Sequence, residues 1–229
     1  MNPDLLIHSQ NNLRILIGIL GMALAILVRL TVGVVSDYWH PLPSISHYFY
    51  TAAGPLFTGV MLQLGVFLII YRGREKLDAV VSTIAGVAAI LVALFPTNGL
   101  TTLCSDPAYP YCNSLLPNNV LRNAVHYGSA SIFFLSMAFM CLFIFTKSDV
   151  PPQLRTPQKR IRNKIYRICG GVIVGAIAGM LSNFFGIISN ETFYRYDLTY
   201  WLEFVAITGI GPAWLVKAEV VLKDKNVIV

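Results

Sequence analysis

The stretch LRILIGILGMALAILVRLTVGVV, residues 13–35, carries no charged side chain between Arg14 and Arg29. As a helix rising ~1.5 Å per residue, a segment of that length crosses the ~30 Å of a bilayer's hydrocarbon core. Five more stretches of similar character follow, at residues 50–71, 77–96, 123–145, 165–188 and 200–222. The pattern predicts an all-α polytopic membrane protein, one six-helix transmembrane domain over residues 1–229. Composition agrees: 55% of residues are hydrophobic and only 12% charged, against about 25% charged in soluble domains. The longest connectors, residues 97–122 and 147–164, are too short to build a core of their own.

The formal net charge is +6, and its distribution assigns it to the membrane rather than to nucleic acid. The second loop carries Arg72, Arg74 and Lys76. The fourth carries Lys147, Arg155, Lys159, Arg160, Arg162 and Lys164, and the tail has Lys223 and Lys225. The first loop has no Lys or Arg, the third has only Arg122 near its end, and the fifth sets Arg195 against Glu191 and Asp197. By the positive-inside rule both termini and loops two and four are cytoplasmic, and loops one, three and five face outward. The first helix is expected to be retained, since no basic n-region and small-residue cleavage site precede it.

Several residues carry packing expectations. Gly171, Gly175 and Gly179 share one helix face at a spacing of four and suit close approach of a neighbouring backbone, with the small-residue third helix as a partner. Pro55 and Pro212 are candidate kinks, Gln63 is expected to hydrogen-bond between helices, and Asp78 suits a helix N-terminus. The basic fourth loop, with Pro151, Pro152 and Pro157, reads as a solvated linker near anionic headgroups. Cys141 and Cys169 read as packing residues. Cys104 and Cys112 share the outward third loop, where a disulfide closing the segment between them is expected.

The chemistry should lie in the polar residues at the outward ends of the helices. A charge within a span costs at least ~2.5 kcal/mol at mid-membrane, so such residues sit near an end, pair, or face a cavity. Arg29, Ser44, Ser46, His47, Thr97, Asn98, Arg122, Asn123, His126, Asn183 and Glu203 form one layer at the outer end. His126 and Glu203 lie at matching depth, as a hydrogen-bonded acid/base pair or as metal ligands with His47. Arg29 and Arg122 suit a phosphate headgroup, with Ser46, His47, Asn98 and Asn183 as further ligand-binding residues; snorkelling of either arginine is the plainer alternative. Ser44 and Ser46 would need a neighbouring base to act as nucleophiles, and capping of the second helix is their simpler role.

The segments Pro43-Ser44-Ile45-Ser46, His126-Tyr127-Gly128-Ser129-Ala130 and Trp201-Leu202-Glu203-Phe204 resemble the DRAM-like family of six-helix membrane proteins, named for the damage-regulated autophagy modulators. They equally resemble bacterial six-helix proteins of similar pattern. The resemblance implies membrane lipid handling and singles out Ser46, His126 and Glu203; His47 departs from the acidic or small residue expected there. The sequence thus predicts an integral membrane protein that binds or handles a membrane lipid through an outer polar cleft. Its alternatives are a hydrolase or acyl transferase using His126 and Glu203, metal-dependent or not, and a transporter, channel or scaffold. Short loops point to a bacterial inner membrane, with a eukaryotic endomembrane as the alternative. No cofactor is specified, and a membrane lipid is the expected partner.

Overall fold

The computed structural model describes residues 3–98, 112 and 116–223, with side chains from Ser9 onward. The described residues are all-helical apart from one isolated antiparallel bridge, between Thr51 and Cys112. The long helices are α1 (Pro3–Ser36), α2 (Gly54–Ile70), α3 (Lys76–Leu94), α4 (Val120–Phe139, continued by a π turn, Met140–Ile144) and α5 (Pro157–Phe184). A short α6 (Asn190–Arg195) then leads into α7 (Leu198–Lys217). A buried 3-10 turn, Ile45–Tyr50, precedes α2. Each long helix packs on the next through α5, α5 packs on α7, and α7 packs on α1, so the six long helices close a ring.

Four segments are long and apolar enough to cross a membrane: Ser9–Ser36, Lys76–Leu94, Val120–Ile144 and Pro157–Phe184. Helix α2 is apolar but shorter, at 17 residues, and α7 carries Glu203, Pro212 and Lys217 among its apolar residues. The bundle's outer surface is apolar, with Ile19, Val34, Val80, Ile84, Leu135 and Ile168 all exposed. Soluble monomers do not present such continuous apolar faces.

Close approaches set the ring, and they are not where the glycine spacing suggests. A Cβ on Gly86 would lie 2.5 Å from the Gly65 carbonyl oxygen, and one on Gly65 would lie 2.8 Å from that of Gly86, so α2 and α3 touch backbone to backbone. Gly18 and Gly211 do the same for α1 and α7, at 3.0 and 2.8 Å. Gly171 and Gly175 instead meet nothing within 4 Å, and Gly179 meets only the Leu202 side chain. Their common face points away from the bundle at two of three positions.

Other expectations are corrected similarly. Pro55 lies in the first turn of α2, where its missing N–H is no loss, so it starts the helix rather than bending it. Gln63 is exposed rather than bonded between helices. Much of the basic fourth loop is helical: Thr156 caps α5 by accepting the Lys159 amide, and Pro157 opens it. Asp78 behaves as expected, forming a capping box with Glu75 and accepting the Arg74 amide at 2.9 Å. Cys141 and Cys169 are buried free thiols. Cys104 lies outside the described residues, and with it the Cys104 to Cys112 pairing.

Candidate functional site

Helix α3 ends because Pro96 cannot continue it: Phe95 is pushed out of the helical region, to φ −116 and ψ 79. The carbonyls of Phe95, Pro96, Thr97 and Asn98 therefore lack helical donors, and each is met by a side chain. His126 Nδ1 donates to Phe95 at 2.8 Å and Arg122 Nε to Pro96 at 2.9 Å. The Tyr50 hydroxyl donates to Thr97, and His47 Nε2 to Asn98 at 3.1 Å. One unwound strand of four residues thus orients both histidines of the cluster.

A carbonyl only accepts, so these contacts fix the rings' tautomers. In neutral His126 the proton is on Nδ1 and the Nε2 lone pair receives the Ser46 hydroxyl at 3.0 Å. In neutral His47 the proton is on Nε2 and the Nδ1 lone pair receives the Ser44 hydroxyl at 2.7 Å. Burial is the main reason that His47 stays neutral: it pulls the imidazole down to about 4, nearby His126 adds to the shift, and the Asn98 carbonyl opposes it. Both serines and both histidines are buried.

The result is two serine–histidine–carbonyl relays side by side on the 3-10 turn. A hydroxyl bonded to a base that a third group orients is the arrangement that activates serine nucleophiles. Ser44 occupies the cap position of the turn but makes no side-chain cap bond, because its hydroxyl is committed to His47. The expected hydrogen bond between His126 and Glu203 is not among those formed by the described residues. Glu203 reaches instead to the start of the turn, accepting the Ile45 amide at 2.7 Å, and so ties α7 to the serine-bearing segment.

Two spaces meet at this cluster. On the polar side is a chamber of about 150 Å³ lined by Ser44, His47, His126, Tyr127, Asn183 and Glu203, with Asp197 and Thr199 at its α7 wall. On the other side is an apolar slot of about 30 Å³, where Ser46 and Glu203 face Leu24, Phe57, Phe133 and Ile207. Burial raises the Asp197 carboxyl above its ordinary range, against the pull of His40 and Arg29.

No family model, curated protein or solved structure matches this chain. The site therefore rests on its own geometry.

Ser46, His47, His126, Asn183 and Glu203 line these spaces, and three residues grouped with them in the sequence do not. Arg29 donates through Nε and Nη2 to the Trp39 carbonyl, at 3.2 and 2.9 Å, and stacks over Trp201. Arg122 also donates through Nη2 to Asn98 Oδ1 at 2.7 Å and to the Pro117 carbonyl at 2.9 Å. Asn98 is committed on both faces of its amide, Oδ1 accepting from the Asn119 amide and Nδ2 donating to the Asn119 carbonyl. Each guanidinium that suited a headgroup is thus engaged by backbone carbonyls. Asn183 lines the chamber but donates to the Ile188 carbonyl and Asn190 Oδ1. Among the described residues no group of three His, Cys, Asp or Glu side chains converges as metal ligands, and both ring nitrogens of His47 and of His126 point to hydroxyls and carbonyls. The pairing missed from sequence is Ser46 with His126, 80 positions apart.

Proposed function

We propose that the chain is a six-span membrane protein, both termini cytoplasmic, that engages a membrane lipid at the outer chamber and transfers or hydrolyses an acyl group through Ser46. The observation that carries this reading is the Ser46 to His126 to Phe95 relay at the junction of a polar chamber and an apolar slot. An ester carbonyl lies at the same junction in a lipid, between headgroup and chain. The alternation of basic and neutral loops supports the orientation. The three segments behind the DRAM-like resemblance meet at this site, which supports lipid handling. A bacterial inner membrane suits the short loops.

Ser46 Oγ attacks the ester carbonyl carbon while His126 Nε2 takes the hydroxyl proton. The carbon–oxygen bond to the lipid alcohol then breaks, the proton passes from His126 to the departing oxygen, and the acyl group stays on Ser46. Water or a second alcohol, deprotonated by the same nitrogen, then attacks the acyl carbon, and His126 returns the proton to Ser46 Oγ as the bond between Ser46 and the acyl group breaks. The Tyr127 and Thr199 hydroxyls line the chamber as donors for the developing oxyanion. Glu203 is a positioning residue that fixes the turn through the Ile45 amide. Transport is disfavoured because the interior between the helix ends is filled by Phe57, Met61, Leu64, Leu68 and Trp214, all buried.

The test is turnover of ester phospholipids by the purified chain in mixed micelles. Ser46→Ala should lose turnover by at least about 1,000-fold, the scale seen when a nucleophile is removed, yet retain copurifying lipid. Unchanged turnover in a folded Ser46→Ala protein would refute the nucleophile. Retained lipid with no turnover even in the unsubstituted chain would reduce the function to lipid binding.

A further inference from the structure

At the opposite end of the bundle, under the loop joining α4 to α5, lies a second cavity of about 310 Å³. That volume is at the lower end of the ~300–1,000 Å³ typical of small-ligand sites. Its lining includes seven basic side chains and two acidic ones. Both carboxylates are occupied: Asp149 pairs with Arg74 at 2.9 Å, and Glu219 lies 3.8 Å from Arg162. Lys147 is drawn out of the cavity towards Glu75 and Asp78, at 2.7 and 3.8 Å. Arg14, Arg155 and Lys217 line the same cavity, and Lys159 Nζ is held by the Phe145 and Lys147 carbonyls at 3.2 and 2.9 Å.

The cavity also holds polar atoms that lack partners. The Tyr71 hydroxyl belongs to a fully buried side chain and has no well-aligned hydrogen bond; its polar neighbour is the Arg14 guanidinium, which sits 5.7 Å from the ring centroid and donates through Nη1 to Asn11 Oδ1 at 2.7 Å. Arg14 Nε is buried and unbonded as well. The Lys217 ammonium rests 5.3 Å from the Phe145 ring centroid. Buried donors without acceptors each cost about 1–3 kcal/mol, and of the buried unpartnered polar atoms among the described residues two, Tyr71 Oη and Arg14 Nε, belong to this lining. Phe145, Tyr166, Trp214 and Tyr71 pack edge to face beneath the cavity and close it from the bundle interior.

The geometry points to a binding site for a phosphate-bearing anion, held by Arg14, Lys217 and the Tyr71 hydroxyl and bordered by the α4 to α5 loop. Guanidinium and ammonium donors match phosphate oxygens, and a doubly charged group would relieve the local excess of positive charge. The anion is a lipid phosphomonoester headgroup or a soluble phosphate ester. The site is independent of the acyl-transfer chemistry, from which the aromatic layer separates it.

The experiment uses the full chain in neutral detergent, with thermal unfolding followed against inorganic pyrophosphate and, separately, against phosphatidic acid in mixed micelles with phosphatidylcholine micelles as control. Saturable stabilisation by pyrophosphate identifies a soluble phosphate-bearing anion, and stabilisation by phosphatidic acid alone identifies a headgroup. Lys217→Met should weaken either response at least 10-fold while leaving Ser46-dependent turnover intact. Arg155→Gln, at an exposed lining position, should weaken it severalfold and serves if Lys217→Met does not fold. No response to either probe, or equal responses in the unsubstituted chain and in the folded variants, would overturn the site.

Discussion

Arg122 separates a structural clamp from a headgroup reader, and the two roles predict opposite outcomes for Arg122→Ala. The guanidinium makes three hydrogen bonds to oxygen, at 2.9, 2.7 and 2.9 Å, joining the unwound end of α3 to the start of α4. Hydrogen bonds to charged groups are worth about 1.5–3 kcal/mol each when fully formed; for this half-buried side chain we take ~1 kcal/mol each after discounting for solvent. Truncation should therefore cost ~3 kcal/mol, which at ~2–4 °C per kcal/mol lowers the unfolding midpoint by ~6–12 °C. Arg122→Lys offers a compact ammonium in place of a fork, so it should recover about a third of that loss. Because Phe95 and Asn98 orient the two histidines, residual turnover should fall more in the Ala than in the Lys variant. The assay is thermal unfolding in detergent together with mass spectrometry of retained lipid. An Ala variant that unfolds at the original temperature but loses its lipid would refute the clamp and restore the headgroup role.

Gly86→Ala should destabilise the bundle by ~1–3 kcal/mol, the usual cost of overpacking, because its Cβ meets the Gly65 carbonyl oxygen at 2.5 Å; Gly171→Ala, which meets nothing, should be neutral, and equal unfolding midpoints for the two would contradict the helix register. His47 is held neutral with its pKa lowered to about 4 from 6.5, so its contribution is fully present above 6.5 and is lost as pH falls towards 4. Linkage makes that loss ~3 kcal/mol, and His47→Gln should flatten the stability profile between pH 6.5 and 4; identical profiles would exclude the histidine as their source. For orientation, cysteines introduced at Leu154 and Tyr194, each 74% exposed, should react with a membrane-impermeant maleimide from opposite sides of the bilayer. Labelling of both from one side would contradict the six-span topology.

The helices were legible because each long apolar run has few competing structures. Even there Glu203, Pro212 and Lys217 give α7 a weaker membrane signature than its place in the ring suggests. The layer of polar residues at one end was legible too, since Ser46, His126 and Glu203 do meet. Their pairing was not: periodicity places a residue at a depth but does not say which way a ring turns. The deciding partners are main-chain carbonyls of residues 95–98, exposed by Pro96, and a carbonyl has no sequence signature. Pro96 is the available signal, because it ends the helix and leaves those carbonyls without helical donors. Helical glycine spacing misled for a related reason, since it defines a face without saying whether that face points inward. The basic lining residues come from α1, α5, α7 and the loops between helices, and only the closed ring brings them around one cavity.

The most direct measurement is reaction of the detergent-purified chain with a lipophilic fluorophosphonate, with the modified residue located by peptide mass spectrometry. Ser46 should be labelled covalently, and the label should disappear in a folded His126→Ala variant. Labelling that is absent, that falls on Ser44 instead, or that persists without His126 would contradict the Ser46 to His126 relay as the working centre of this protein.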